Sequence, residues 1–166
     1  MLIFDKDLNG KYDWMDIYEL LCSFSYKICK YYIYHLLTNV SNKIILYGID
    51  NLDNFDLENC PCGLVYNHNK VTDTEINVCI MMISTKYKCR KYGYASAFIN
   101  EFIAFIKNKF KKFKTINILL DSLETSVTFY EHIGFKWIIT NEDINNLFSI
   151  QDKNKDNHFI MKYTIK

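Results

Sequence analysis

"CRKYGYASAF", residues 89–98, sets two adjacent cations and a glycine directly before a run with helical character. Upstream lies "EINVCIMMIS" (75–84), which reads as a β-strand. Downstream, Phe98, Phe102, Ile106, Phe110 and Phe113 recur every three or four residues, backed by Ile99 and Ile103. That spacing predicts an amphipathic helix over 94–113. The order is therefore strand, turn and helix N-terminus. The first turn of a helix leaves backbone N–H groups unpaired at the positive end of the helix dipole. Phosphate oxygens suit that position when the backbone can be approached closely. Gly93 has no Cβ to block the approach, and Ala95 is the next smallest choice. Lys86, Lys88, Arg90 and Lys91 add attraction for an anion. Arg90 is the only arginine in the chain, a planar and always-charged fork in a sequence that otherwise uses lysine. The alternative is an ordinary helix start that happens to carry lysine and tyrosine around a glycine. A Walker loop is excluded, because no GxxxxGK[ST] pattern occurs, and the first glycine of a dinucleotide fingerprint is missing.

Working outward, residues 2–4 read as a first strand and 14–37 as helical, in one or two pieces. "KIILYGI" (43–49) reads as a strand and the acidic 50–59 as a surface loop. Residues 62–68 and 75–84 form a hairpin around a polar turn at 69–74. "INILLD" (116–121) is nearly free of polar residues, as expected of a strand buried on both faces. Residues 123–133 read as a helix closed by Gly134, 135–140 and 158–165 as the last strands, and 141–157 as a long polar loop. The segment from Glu75 to Asp121 is a crossover joining parallel strands, and the whole is a mixed α/β layer fold.

At 166 residues, with 49% apolar content and a net charge of +1, the chain reads as one globular domain, 1–166. Its charge is unevenly spread. Residues 86–114 hold nine Lys or Arg against one acid, Glu101, whereas residues 1–75 hold six Lys and eleven Asp or Glu. Six cysteines occur, with no signal peptide ahead of them: Asp5 and Asp7 sit where a cationic and then apolar leader belongs. The expectation is an intracellular protein, cytoplasmic or nuclear, with free thiols. Cys60-Pro61-Cys62 lacks the second close pair of a zinc ribbon. Acids and lysines interrupt the apolar run 15–37, which is amphipathic and not a membrane span.

Two motifs carry a family resemblance. Arg90-x-x-Gly93-x-Ala95 resembles the [QR]-x-x-G-x-[GA] pyrophosphate signature of the GNAT superfamily of acetyl-CoA-dependent N-acetyltransferases, and Ser96-Ala97-Phe98-Ile99 resembles the helix after it. Some thirty-five residues on, Phe129-Tyr130-Glu131-His132-Ile133-Gly134-Phe135 resembles that family's "FYEKxGF" motif. The likeness spans about 43–166, with 1–42 as the family's variable opening helices. It implies the GNAT fold, a central mixed and mostly antiparallel sheet flanked by helices. It implies an enzyme in which a deprotonated amine attacks the thioester of acetyl-CoA directly. Met82, Ile83 and Ser84 would bind the pantetheine arm through their backbone. The amides of Arg90, Lys91, Tyr92, Gly93, Tyr94 and Ala95 would hold the pyrophosphate. Ser126 would touch the cofactor, and Tyr130 would protonate the departing sulfur. Glu75 and Asp121 are the candidate general bases; otherwise Glu75 is a solvated strand start and Asp121 a cap on the following helix. Cys89, beside the cradle, can react with electrophiles, but no acyl-enzyme is implied. The family usually keeps glycine directly after the arginine, so Lys91 must bend there without one. The acceptor is an amine: an amino-sugar phosphate, another small amine or a peptide.

Two other signals compete. "DKDLNGKYDWMD" (5–16) places Asp5, Asp7, Asn9, Gly10, Asp13 and Asp16 at calcium-loop positions, but the twelfth ligand is Asp and no entering helix precedes it. The segment reads as a strand-to-helix turn, and no metal is expected. "KNKFKKFK" (107–114) sets its phenylalanines at core spacing and its lysines on a solvated face, so nucleic acid is not the expected partner. A basic nucleic-acid-binding domain, and an acetyl-CoA-binding protein without turnover, remain the alternatives. A homodimer is left open.

Overall fold

The computed structural model of the chain describes residues 1–8, 10–24, 28–49, 52–139, 142–148 and 158–166. Its strands are β1 (Leu2–Phe4), β2 (Lys43–Tyr47), β3 (Cys62–Lys70), β4 (Glu75–Thr85), β5 (Thr115–Leu123), β6 (Lys136–Trp137) and β7 (His158–Ile165). Its helices are α1 (Trp14–Phe24), α2 (Lys30–Thr38), α3 (Tyr94–Lys109), α4 (Val127–Ile133) and α5 (Glu142–Leu147). The strands follow the order β1-β2-β3-β4-β5-β7-β6 in one sheet, with β4 and β5 parallel. The chain divides into two compact units, residues 1–66 with 82–102, and 67–81 with 103–166.

In the first unit, β1 pairs antiparallel with β2, and β2 with β3 from Lys43↔Tyr66 to Tyr47↔Cys62. Apolar residues at helical spacing bury one face of α1 through Ile17, Leu20, Leu21 and Phe24. Gly63 on β3 lets that helix come close: a Cβ there would lie 2.6 Å from Leu21 Cδ2 and 2.9 Å from Phe24 Cε2. Tyr47 donates its hydroxyl to Glu101 Oε1 at 2.9 Å, so the one acid of the basic stretch joins β2 to α3. The turn before α1 is closed by a reciprocal pair. Asp13 Oδ1 accepts from the Met15 and Asp16 amides, and Asp16 Oδ2 accepts from the Asp13 amide. Asp7 Oδ2 accepts from the Phe4 amide. These carboxylates act as backbone caps, which agrees with reading 5–16 as a strand-to-helix turn; Asn9 lies outside the described residues.

In the second unit, β5 pairs with β4 on one side and with β7 on the other, antiparallel, from Ile116↔Ile165 to Leu123↔His158. Ile116, Ile118, Leu119 and Leu120 are all buried, as the apolar run requires. Gly134 closes α4 at φ 108, a left-handed C-cap.

Four expectations are corrected. The helix α3 ends at Lys109, although the phenylalanine spacing continues to Phe113. The Phe113 amide donates to Phe110 O at 2.9 Å, a turn that keeps near-helical spacing after the helix has stopped. Residues 123–133 are not one helix: β5 continues through Leu123, a 3-10 turn covers Glu124–Ser126, and α4 begins at Val127. Cross-strand pairing to β7 holds this end of β5 extended. The strand expected at 135–140 shrinks to Lys136–Trp137, which pair with Lys162 and Met161 of β7, and the Ile138 amide adds one bond to Ile160 O at 3.0 Å. Inside the expected loop 141–157 lies α5, and residues 149–157 fall outside the described set. No helix among the described residues is long and apolar enough to cross a membrane.

Candidate active site

The first unit carries the segment expected to form the cradle. A 3-10 turn at Tyr87–Cys89 follows β4, and Arg90 leaves it extended. The Cys89 amide donates to Lys86 O at 2.8 Å and the Arg90 amide to Tyr87 O at 3.2 Å. Arg90 therefore cannot offer its amide to a phosphate, and the donor series begins one residue later. Among the described residues, no backbone hydrogen bond of standard geometry is donated by the amides from Lys91 to Ser96; Ala97, bonded to Gly93 O at 3.0 Å, starts the helical ladder. Two residues bend this run into the left-handed region, Lys91 at φ 69 and Gly93 at φ 81. Lys91 is the only non-glycine with positive φ among the described residues. Alternation of this kind turns successive N–H groups toward one concavity, a nest suited to an anion. A Cβ on Gly93 would meet no protein atom within 4 Å, so within the chain glycine is called for by its φ of 81.

The cradle is tied to the chain before β3. The Lys86 amide donates to Pro61 O at 2.8 Å, and Lys86 Nζ to Glu58 O at 2.8 Å. Arg90 Nε donates to Thr85 O at 3.3 Å, and its guanidinium lies 5.4 Å from the centroid of the Tyr87 ring. The lone arginine thus braces the turn through one side-chain bond and a charge close to an aromatic ring. Met82 and Ser84 are buried and Ile83 is half-buried. The parallel ladder from Glu75↔Thr115 ends at Ile80↔Leu120, so the last residues of β4 continue without a β5 partner.

Lys91 carries a testable strain. A non-glycine residue in the left-handed region costs roughly 1–2 kcal/mol, part of which glycine gives back through its looser unfolded state. Lys91→Gly should raise stability by up to about 1 kcal/mol, a Tm gain of about 2–4 °C, while Lys91→Val should lower Tm. Thermal melts of the three proteins check the order; a lower Tm for the glycine variant would contradict this backbone.

The second unit holds the other candidates. Tyr130, on α4, is buried against Phe129 and Phe135, with ring centroids 5.1 and 5.8 Å away. Burial pushes its phenol up to about 12, so it holds its proton at any ordinary pH. Ser126 is the N-cap of α4, yet its side chain makes no capping bond. The helix cap is thus Ser126 and not Asp121, which lies within β5 opposite Ile160. Glu75 and Asp121 are not brought together. Glu75 faces Thr115, and the six residues from there to Asp121 span about 20 Å of strand. They cannot both serve one amine.

Sequence reasoning passed over Asn117, the one polar residue inside "INILL". It is 6% exposed, and its Nδ2 donates to Glu75 Oε1 at 2.6 Å and to Asn77 Oδ1 at 3.1 Å. Thr164 Oγ1 donates to Asn117 Oδ1 at 3.1 Å, so the buried amide is satisfied across three strands and holds the Glu75 carboxylate in place. A polar residue at an inward strand position was the available signal.

Burial also raises the thiols of Cys60 and Cys79 to about 12 and that of Cys62 to about 11, which makes them poor nucleophiles. Among the described residues, no group of three or more His, Cys, Asp or Glu is arranged to hold a metal.

No protein-family profile matches the sequence, and no curated protein matches it. Solved structures do resemble the fold. A GNAT family acetyltransferase from Elizabethkingia anophelis with acetyl-CoA bound superposes with a TM-score of 0.60 at 16% identity, covering 100% of this chain and 97% of that one. Tetrahymena GCN5 gives 0.64 at 13% identity, covering 95% and 92%. The ribosomal-protein-S18-alanine N-acetyltransferase from Escherichia coli gives 0.62 at 11% identity, covering 100% and 95%. The chain has the fold of the GNAT acetyltransferases.

Proposed function

We propose that residues 1–166 act as one acetyltransferase domain, a member of the GNAT superfamily, which moves the acetyl group of acetyl-CoA to a primary amine. The observation that carries this reading is the run from Lys91 to Ser96, whose amides make no standard backbone bond among the described residues, bent by Lys91 and Gly93 after the end of β4. A likeness in fold to an acetyltransferase holding acetyl-CoA supports it.

Acetyl-CoA supplies an activated thioester, whose carbonyl a free amine can attack directly. This chain's residues then have four tasks. The amides of Lys91, Tyr92, Gly93, Tyr94 and Ala95 hold the pyrophosphate, with Lys88 and Arg90 adding positive charge. Met82, Ile83 and Ser84 offer the backbone edge that β5 leaves unpaired to the amides of the pantetheine arm. Tyr130, kept protonated by burial, gives its proton to the departing sulfur. Glu75 or Asp121 takes the proton from the amine; Glu75 has the better-held carboxylate, through Asn117. Ser126, its hydroxyl free of capping, is a further cofactor contact. No residue is asked to carry the acetyl group.

The test is release of free thiol from acetyl-CoA with a panel of small amines, amino-sugar phosphates and peptides, beside a thermal melt with acetyl-CoA. Saturation to about one hundred times Kd should stabilise the protein by about 2.7 kcal/mol, raising Tm by roughly 5–10 °C. Thiol release that depends on one acceptor class would name the substrate. A melt that shifts without release would indicate binding without turnover. Neither shift nor release would remove the reading.

A further inference from the structure

Residues 107–114, "KNKFKKFK", carry five lysines and no carboxylate. Read as helix, they form one solvated face. The structure ends α3 at Lys109 and passes the rest through a turn. The negative end of the helix dipole accounts for Lys107 and Lys109 in the last turn. It does not account for Lys111, Lys112 and Lys114, which lie beyond the helix and are exposed.

Ion pairs among the described residues include Lys70 with Asp73 and the Met1 amine with Glu101. Lys107, Lys111, Lys112 and Lys114 take part in neither. Four like charges on one short, exposed segment repel one another and present a positive surface that suits an anionic partner. The rings between them narrow its chemistry. Lys109 Nζ lies 5.3 Å from the Phe105 ring centroid, and Lys112 Nζ 5.2 Å from that of Phe113. Phe105 and Phe113 are half-buried, so part of each ring reaches the surface. Alternating cations and aromatic rings suit a polyanion that also carries flat bases, which an acidic peptide lacks.

We propose that residues 107–114 form a docking surface for the phosphate backbone of a single-stranded nucleic acid. The surface acts independently of acetyl transfer. Contacts to phosphate position a protein without reading sequence, so binding is weak, indifferent to base order and steeply dependent on salt. Four lysines on a single strand give a slope of log K against log salt of about −3.

The experiment uses the full chain and a fluorescein-labelled single-stranded RNA of about 20 nucleotides, with anisotropy read from about 50 to 300 mM salt. The expected result is micromolar binding at the lowest salt, with that slope. The double variants K111Q/K112Q and K107Q/K114Q should each weaken binding about tenfold and flatten the slope by about 1, with unchanged circular dichroism melts. Absence of binding at low salt, a flat salt response, or full binding by both folded variants would overturn the proposal. So would tighter binding of a poly-glutamate peptide than of the RNA, which would make an acidic protein the partner.

Discussion

Tyr130→Phe is expected to lower kcat by about 100-fold or more while leaving the Kd for acetyl-CoA within about twofold. The phenol is buried against two aromatic rings, so phenylalanine fills the same space and packing survives. What disappears is the proton. Burial holds the phenol at about 12, well above the ordinary 10.0, so the wild-type residue keeps its proton across the working range. Steady-state kinetics beside calorimetric titration of acetyl-CoA separate the two quantities. A kcat within about threefold of wild type would remove Tyr130 from the chemistry. The same pKa sets a stability effect with a definite sign. Below pH 10 the folded and unfolded chains both carry the proton, and stability is whole. As pH rises from 10 towards 12, the unfolded chain ionises first, so stability falls, by up to about 3 kcal/mol. Tyr47, also raised to about 12, acts in the same direction. Alkaline melts of the Tyr130→Phe variant should lose less stability over that window than wild type.

Gly63→Val is expected to destabilise the first unit by about 3 kcal/mol, a Tm loss of about 10 °C. The reason is distance. A Cβ at this position would lie 2.6 Å from Leu21 Cδ2, 2.9 Å from Phe24 Cε2 and 3.3 Å from Leu46 Cδ2. Those three side chains are themselves almost wholly buried, so none can step aside into solvent. Alanine should cost less, because only the Cβ must be fitted. A valine variant melting within about 2 °C of wild type would mean that α1 does not pack on β3 as described.

How far the sequence could be read follows from the range of the interactions involved. The crossover from β4 through α3 to β5 was legible because its signals are local. Strand runs, a 3.6-residue period and a glycine before the helix report on neighbours within a few positions. The left-handed cap at Gly134 and the turn at 5–16 were legible for the same reason. The end of α3 was not, because Phe110 and Phe113 keep helical spacing through a turn. Nor was the shift of residues 123–126 out of the helix, since that depends on β5 finding β7 some forty residues later.

The candidate site divides in the same way. From the sequence alone came the cradle, its glycine and the two motifs that led to Tyr130. It also posed the question of Lys91, where a bend was needed and glycine was lacking. Only the tertiary structure puts Lys91 at φ 69, commits the Arg90 amide to Tyr87 and, among the described residues, leaves the amides from Lys91 to Ser96 without a standard backbone bond. It alone sets Glu75 and Asp121 at opposite ends of β5's pairing, and brings Asn117 to the Glu75 carboxylate. Residue types and their spacing decide which backbone groups are available, because capping and periodicity act within one or two turns. Which groups stay unpaired, and which carboxylate is held, depends on partners distant in the chain, and those are chosen only when strands register and side chains compete for the same space.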